Sequence, residues 1–134
     1  MEKTLVLIKP DAVAQRVVGN IISKYEDRKF DIEHIKILIP SVELLEEHYF
    51  EHRDKSFFPE LINFMSSGRV VAMVLKGSNV VRKVRELNGH TNPNLAAENT
   101  IRNLYGTSLT YNAIHGSDSK ETADREIKLW FDNI

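Results

Sequence analysis

Apolar positions fall into two rhythms along this chain. Residues 4–8 (TLVLI) and 70–75 (VVAMVL) are nearly continuous apolar runs, partly β-branched. That is the pattern of strands buried on both faces. The first run stops at Lys9-Pro10-Asp11, where the proline ends it, and the second stops at Gly77. Ile32, Ile35, Ile37 and Ile39 mark a further β-branched strand, closed by Pro40-Ser41. A helical rhythm fills the remainder. It covers 17–28, with Val18, Ile21, Ile22 and Tyr25 on one face, and resumes after the N-cap Ser41 through Leu44, Leu45 and His48 to about His52. Phe57-Phe58-Pro59 opens another helix, with Leu61, Ile62, Phe64 and Met65 inward and Gly68 at its end. Ser78 caps the next one, whose stripe is Val80, Val81, Val84 and Leu87 and whose stop is Gly89. From 89 to about 110 the periodicity fades around Thr91-Asn92-Pro93-Asn94, which predicts a long loop. A loop of that length in a compact domain is more often functional, or an interface element, than idle.

Residues 112–118 (NAIHGSD) read as a short strand that delivers His115 and then breaks at Gly116-Ser117. Asp118 is the expected N-cap of a last helix over 119–131, because Glu121 follows three residues later. Ala123, Ile127 and Trp130 lie on the inward side of that helix. The order strand, helix, strand, helices, strand, helix, strand, helix fits two interleaved strand–helix–strand units. The expected fold is α+β, a ferredoxin-like split βαβ with a four-stranded antiparallel sheet and helices on one face. A parallel doubly wound sheet is the alternative, and four strands at this length favour the first.

Composition narrows the class. The chain has 134 residues, enough for one domain over 1–134 with a real core. Apolar residues make up 42 % and charged residues 28 %, as in an ordinary globular protein. A formal charge of -1 argues against a generic nucleic-acid binder. Without cysteine there is neither a disulfide framework nor a thiolate metal site. The run 5–8 is too short for a signal peptide and no stretch has transmembrane length, so the expected location is the cytoplasm.

Several chemistries are excluded by their motifs. There is no P-loop, no G-x-G-x-x-G, no H-R-D catalytic loop and no zinc-protease spacing of histidine and carboxylate. What remains is a set of cations: Lys9 at the end of the first strand, Arg82 and Arg85 on one helix, and Arg102 in the long loop. Guanidinium groups bind phosphate oxygens through paired hydrogen bonds, so a convergent set suits a polyphosphate. A solvated helix face is the usual alternative, above all for Arg82. His115 is one of five histidines, and its position alone does not make it a catalyst.

The stretch NAIHGSD resembles the active-site signature of nucleoside diphosphate kinases. The opening TLVLIKPDAV and the segments HYFEHRDKSFF and GHTNP resemble the same family at compatible spacings, as does the final helix ending in LWF. The resemblance spans essentially the whole chain. It implies the ferredoxin-like fold and transfer of the γ-phosphoryl group of a nucleoside triphosphate to a nucleoside diphosphate, by a ping-pong route through phosphohistidine. Carried over by residue, His115 matches the phosphorylated histidine, Glu126 the carboxylate that holds its ring, and Ser117 the supporting hydroxyl. Lys9, Tyr49, Arg85, Thr91 and Arg102 match the phosphate-binding set. Asn112 and Lys9 match the pair at the sugar hydroxyls, Phe57 the aromatic under the base, and His52 a position near the α-phosphate. Stacking on a π-face implies broad base tolerance. Mg²⁺ is implied as a companion of the nucleotide phosphates, with Asp118 the candidate for a water-mediated contact.

The chain departs from the family pattern in the loop, where Glu98-Asn99 replace the usual proline and glycine and Asn103-Leu104 the small residue and acid. Ala12 replaces a glycine, and Arg69 a proline. In the family this loop packs between subunits. The expected assembly is a homo-oligomer, a hexamer before a tetramer. Two other readings are a ferredoxin-like module that stacks single-stranded nucleic acid, and a catalytically altered family member that keeps only nucleotide binding or a scaffold role. The first lacks aromatics interleaved with basic residues on a strand. The second is at odds with the full set of matched positions.

Overall fold

A computed structural model describes residues 1–132. Four strands, β1 (Glu2–Ile8), β2 (Asp31–Leu38), β3 (Val70–Gly77) and β4 (Ile114–Gly116), form one sheet in the order β2-β3-β1-β4. Every neighbouring pair is antiparallel, with Val6 opposite Met73 and Leu7 opposite His115. A register shift between Ile32 and His34 bends the edge strand β2. This is the expected α+β, ferredoxin-like architecture.

Helices cover both faces of the sheet, where one face was expected. On one side α2 (Val18–Asp27) and α5 (Val80–Asn88) pack Ile21, Tyr25 and Val84 on Val6, Ile8, Met73 and Leu75. On the other, α3 (Val42–His48), α4 (Phe58–Met65) and α7 (Lys120–Trp130) pack Leu45, Leu61, Met65 and Trp130 on Leu5, Leu7, Ala72 and Val74. The cause lies in the unbroken apolar runs of β1 and β3. Successive side chains point to opposite faces, so a strand without polar positions needs cover on both.

Other differences are local. Pro10 ends β1 by starting a helix, α1 (Pro10–Ala14), whose N-cap is Lys9. Proline suits the first helical turn because its missing N–H has no intrahelical partner there. The helix after Ser41 stops at His48 and continues as a 3₁₀ turn over Phe50–His52. The N-cap of α5 is Asn79, in the left-handed region at φ 54°, and not Ser78. The N-cap of α7 is Ser119, and not Asp118: the Ser119 hydroxyl accepts from the Thr122 N–H. The expected loop contains a 3₁₀ turn at Pro93–Leu95 and a short helix, α6 (Ile101–Tyr105), capped by Thr100. Only Ile101 of α6 is fully buried, so no apolar period marked it.

Candidate active site

His115 owes its direction to strand alternation. Ile114 points into the core under α2 and α5, so His115 points the opposite way, toward α3 and α7. The backbone just before it is strained. Ala113 has φ 75°, its N–H donates to Asp11 Oδ2 at 3.0 Å, and its carbonyl accepts from the Lys9 N–H at 2.9 Å. A left-handed alanine persists only where its surroundings hold it, and it marks functional turns.

His115 Nε2 lies 2.9 Å from Glu126 Oε1. The same oxygen accepts the Ser117 hydroxyl at 2.7 Å, and Ser117 in turn accepts the Leu5 N–H. Burial raises the affinity of Glu126 for a proton. The adjacent His115 and the hydrogen bonds from His115 and Ser117 outweigh that, and its carboxyl is held below the usual range. An ionised Glu126 accepts, so Nε2 carries the proton and Nδ1 keeps a free lone pair.

The cations converge. Lys9, 6 % exposed, donates to Asn112 Oδ1 at 2.8 Å, and Asn112 Nδ2 donates to the Thr91 carbonyl. Burial, aided by the Arg102 guanidinium and opposed by Asp11, lowers Lys9 to about 7. Arg102 donates to the carbonyls of Gly89 and Ile114, both at 2.8 Å, which splints the loop to β4. Burial lowers it to about 10, so it stays charged at neutral pH. Burial, then Glu126, raises Tyr49 and keeps its phenol protonated. Tyr49 Oη, His52 Nδ1 and Arg102 Nε are buried without a protein partner among the described residues.

These groups line one cavity of about 240 Å³. Of the residues singled out in the sequence, Lys9, Tyr49, His52, Arg85, Thr91, Arg102, Asn112, His115, Asp118 and Glu126 all reach it. Ser117 lies buried behind it, and half-exposed Phe57 stands outside, its ring 5.4 Å from that of His52. Arg82 pairs with Glu86 on the exposed helix surface. A larger depression of about 860 Å³ adjoins the cavity and shares Arg85 and Asp118, but His115 is not in it. Sequence reasoning passed over His48 and Arg125, which line the cavity, and over Asp11 and Trp130, which hold Ala113 and His48 from behind. The signal for Trp130 was its place one helical turn after Glu126.

The donor set is suited to anions. Lys9, Arg85 and Arg102 provide charge, and the orphaned hydroxyl and N–H groups need acceptors. His48, His115 and Glu126 have ligating atoms within 4.8 Å of one another, but they are committed to each other and to Trp130. Among the described residues, the carboxylates left free on the cavity wall are Glu51 and Asp118, a set that fits a divalent cation brought in by a bound anion better than a resident one.

Fold and cleft define a class: a split βαβ protein with an anion-binding cleft at the sheet's β4 edge, floored by a carboxylate-held histidine. The model of the family "Nucleoside diphosphate kinase" matches residues 2–134. The nucleoside diphosphate kinase of Caldanaerobacter subterraneus is 49 % identical over 134 residues, covering 100 % of this chain and 96 % of that protein. That of Schizosaccharomyces pombe is 48 % identical, covering 97 % and 86 %. The crystal structure of the apo enzyme from Encephalitozoon cuniculi superposes with a TM-score of 0.96 at 44 % identity, covering 98 % of this chain and 89 % of that one. The chain belongs to the nucleoside diphosphate kinase family. It is accordingly a phosphotransferase that acts on nucleotides. No described helix is long and apolar enough to cross a membrane.

Proposed function

We propose that this chain transfers the γ-phosphoryl group of a nucleoside triphosphate, typically ATP, to a nucleoside diphosphate by a ping-pong route through His115, and so maintains NTP and dNTP pools. The observation that carries this reading is the 2.9 Å contact of His115 Nε2 with Glu126 at the floor of a cationic cleft. His115 Nδ1 attacks the γ-phosphorus in line. The P–N bond forms, the bond to the bridging oxygen breaks, and the diphosphate leaves. A second diphosphate then occupies the same cleft. Its terminal oxygen attacks phosphorus, and the electron pair of the P–N bond returns to Nδ1. Glu126 keeps the Nε2 proton in place and balances positive charge on the ring, with Ser117 holding Glu126.

Lys9, Tyr49, Arg85, Thr91 and Arg102 stabilise the phosphate oxygens, where catalysis of this reaction is mostly positioning and electrostatics. Lys9 and Asn112 also receive the sugar hydroxyls, His52 sits by the α-phosphate, and Phe57 at the mouth stacks on the base. That contact tolerates all bases. Asp118 would hold, through water, the Mg²⁺ that accompanies the nucleotide, and that ion would offset charge on the phosphates. The protein works in the cytoplasm as one domain over 1–134, needs no nucleic acid, and assembles as a homo-oligomer, a hexamer before a tetramer.

The test is direct. With Mg²⁺ and γ-labelled ATP the protein takes up acid-labile, base-stable label that chases onto added GDP. Absence of label, or equal label in His115→Ala, sinks the reading.

A further inference from the structure

His48 takes no part in the steps above, yet it is 4 % exposed and lies against the groups that orient His115. Its ring meets the His115 ring edge-on, with centroids 4.6 Å apart and planes at 76°. The Trp130 indole Nε1–H donates to His48 Nδ1 at 3.0 Å. An indole N–H only donates, so His48 Nδ1 must be the bare acceptor nitrogen. That nitrogen is also 3.9 Å from Glu126 Oε2. Were it protonated, His48 would offer Glu126 a cationic donor in competition with the His115 N–H.

The groups facing His48 oppose that outcome. Glu126 alone favours a charged ring. Burial, His115 on β4, Arg125 on α7 and Lys9 at the end of β1 all disfavour it, and together hold His48 well below the usual histidine range. Its neighbour Tyr49 stacks edge-on at 4.5 Å as a neutral phenol.

We propose that the Trp130 N–H locks His48 as the neutral Nε2–H tautomer, and that this ring is a positioning residue that keeps Glu126 committed to His115. The inference rests on the reading of His115 as the phosphoryl carrier. Its first test does not depend on turnover. Histidine ¹⁵N NMR of the full chain between about pH 5.5 and about 8 reads each ring's tautomer and titration. The His48 ring is identified through its contact with the indole of the sole tryptophan. It should show a fixed Nε2–H and no titration. An Nδ1–H, or a midpoint inside that range, overturns the lock even in a protein that labels normally.

The second test is kinetic. Trp130→Phe keeps an aromatic ring at this position and removes the N–H. Its acid limb in kcat/KM should move up by about one pH unit, because His48 is freed to bind a proton. Adding His48→Phe should return the limb to its original place. A merely structural role predicts a uniform loss with an unmoved limb, and that result removes the positioning role.

Discussion

Glu126 is the buried carboxylate at which stability and the proposed chemistry meet. Glu126→Gln keeps the shape of the side chain but no longer fixes the His115 tautomer, so kcat should fall by about 100-fold while the fold persists. Stopped-flow label transfer measures the first, and circular dichroism the second. The folded-state pKa of Glu126 is depressed. Its stabilising contribution is therefore present above the ordinary carboxylate range and is lost as pH falls through the lower folded value. Relative to Glu126→Gln, the parent should hold a steady Tm advantage at neutral pH and lose it as pH falls through that acid window. Lys9 has the opposite sign. Its folded value of about 7 lies below the usual 10.5, so the unfolded chain binds more protons between them. The stability of the parent should rise across that window relative to Lys9→Met, which should be the more stable protein at neutral pH although it is inactive. A Lys9→Met variant less stable at pH 7 than the parent would contradict this. How much of the site was legible follows from these same residues. His115 and Lys9 sit in short, dense motifs with local turn signals, while Arg102 was picked out only as a cation of the long loop and by the family resemblance. His48 carries no such signal, because its role arises from a contact with Trp130 across 82 positions, which no local pattern encodes.

At the scale of elements, α6 is the part that sequence patterning could not resolve. Its helix has five residues with one inward side chain, too few for a period, and it is held by end groups instead. Thr100 caps it, and Arg102 ties it to the Gly89 carbonyl. Gly89 is the pivot of this arrangement. It adopts φ 88°, and a Cβ there would come within 2.5 Å of Thr100 Oγ1. Gly89→Ala should thus displace the loop that carries Arg102 as well as strain the end of α5. The expected cost is about 2 kcal/mol of stability, with a KM for nucleotide raised by about 10-fold. Urea denaturation and steady-state kinetics check the two values, and an unchanged KM would show that Arg102 does not depend on the pivot. The strands, in contrast, were read nearly to the residue. Their apolar runs also carried the information that helices must lie on both faces. The one-face expectation took the topology of the split βαβ and overlooked what β1 and β3 required.

Across the whole molecule, two groups of exposed apolar side chains stand out among the described residues. Ile35 and Ile37 are 51 % and 63 % exposed on the edge strand β2, and Ile39, just past its end, is 63 % exposed. Leu95, Leu104, Leu109 and Tyr111 are exposed on and beside the α6 segment. An edge strand offers unpaired backbone groups as well as side chains, and it pairs readily with its own copy about a two-fold axis. Closed assemblies larger than a dimer need a second interface, and the loop supplies a separate apolar patch for one. The choice between hexamer and tetramer then has a simple readout. In a hexamer built from two-fold and three-fold contacts, breaking the two-fold leaves trimers. In a tetramer with two kinds of two-fold contact, breaking one leaves dimers. Ile37→Glu puts a charge into the β2 stripe without touching the cleft. Sedimentation velocity of this variant should therefore show trimers if the parent is a hexamer. Dimers would establish the tetramer, and an undisturbed assembly would show that β2 is not an interface at all.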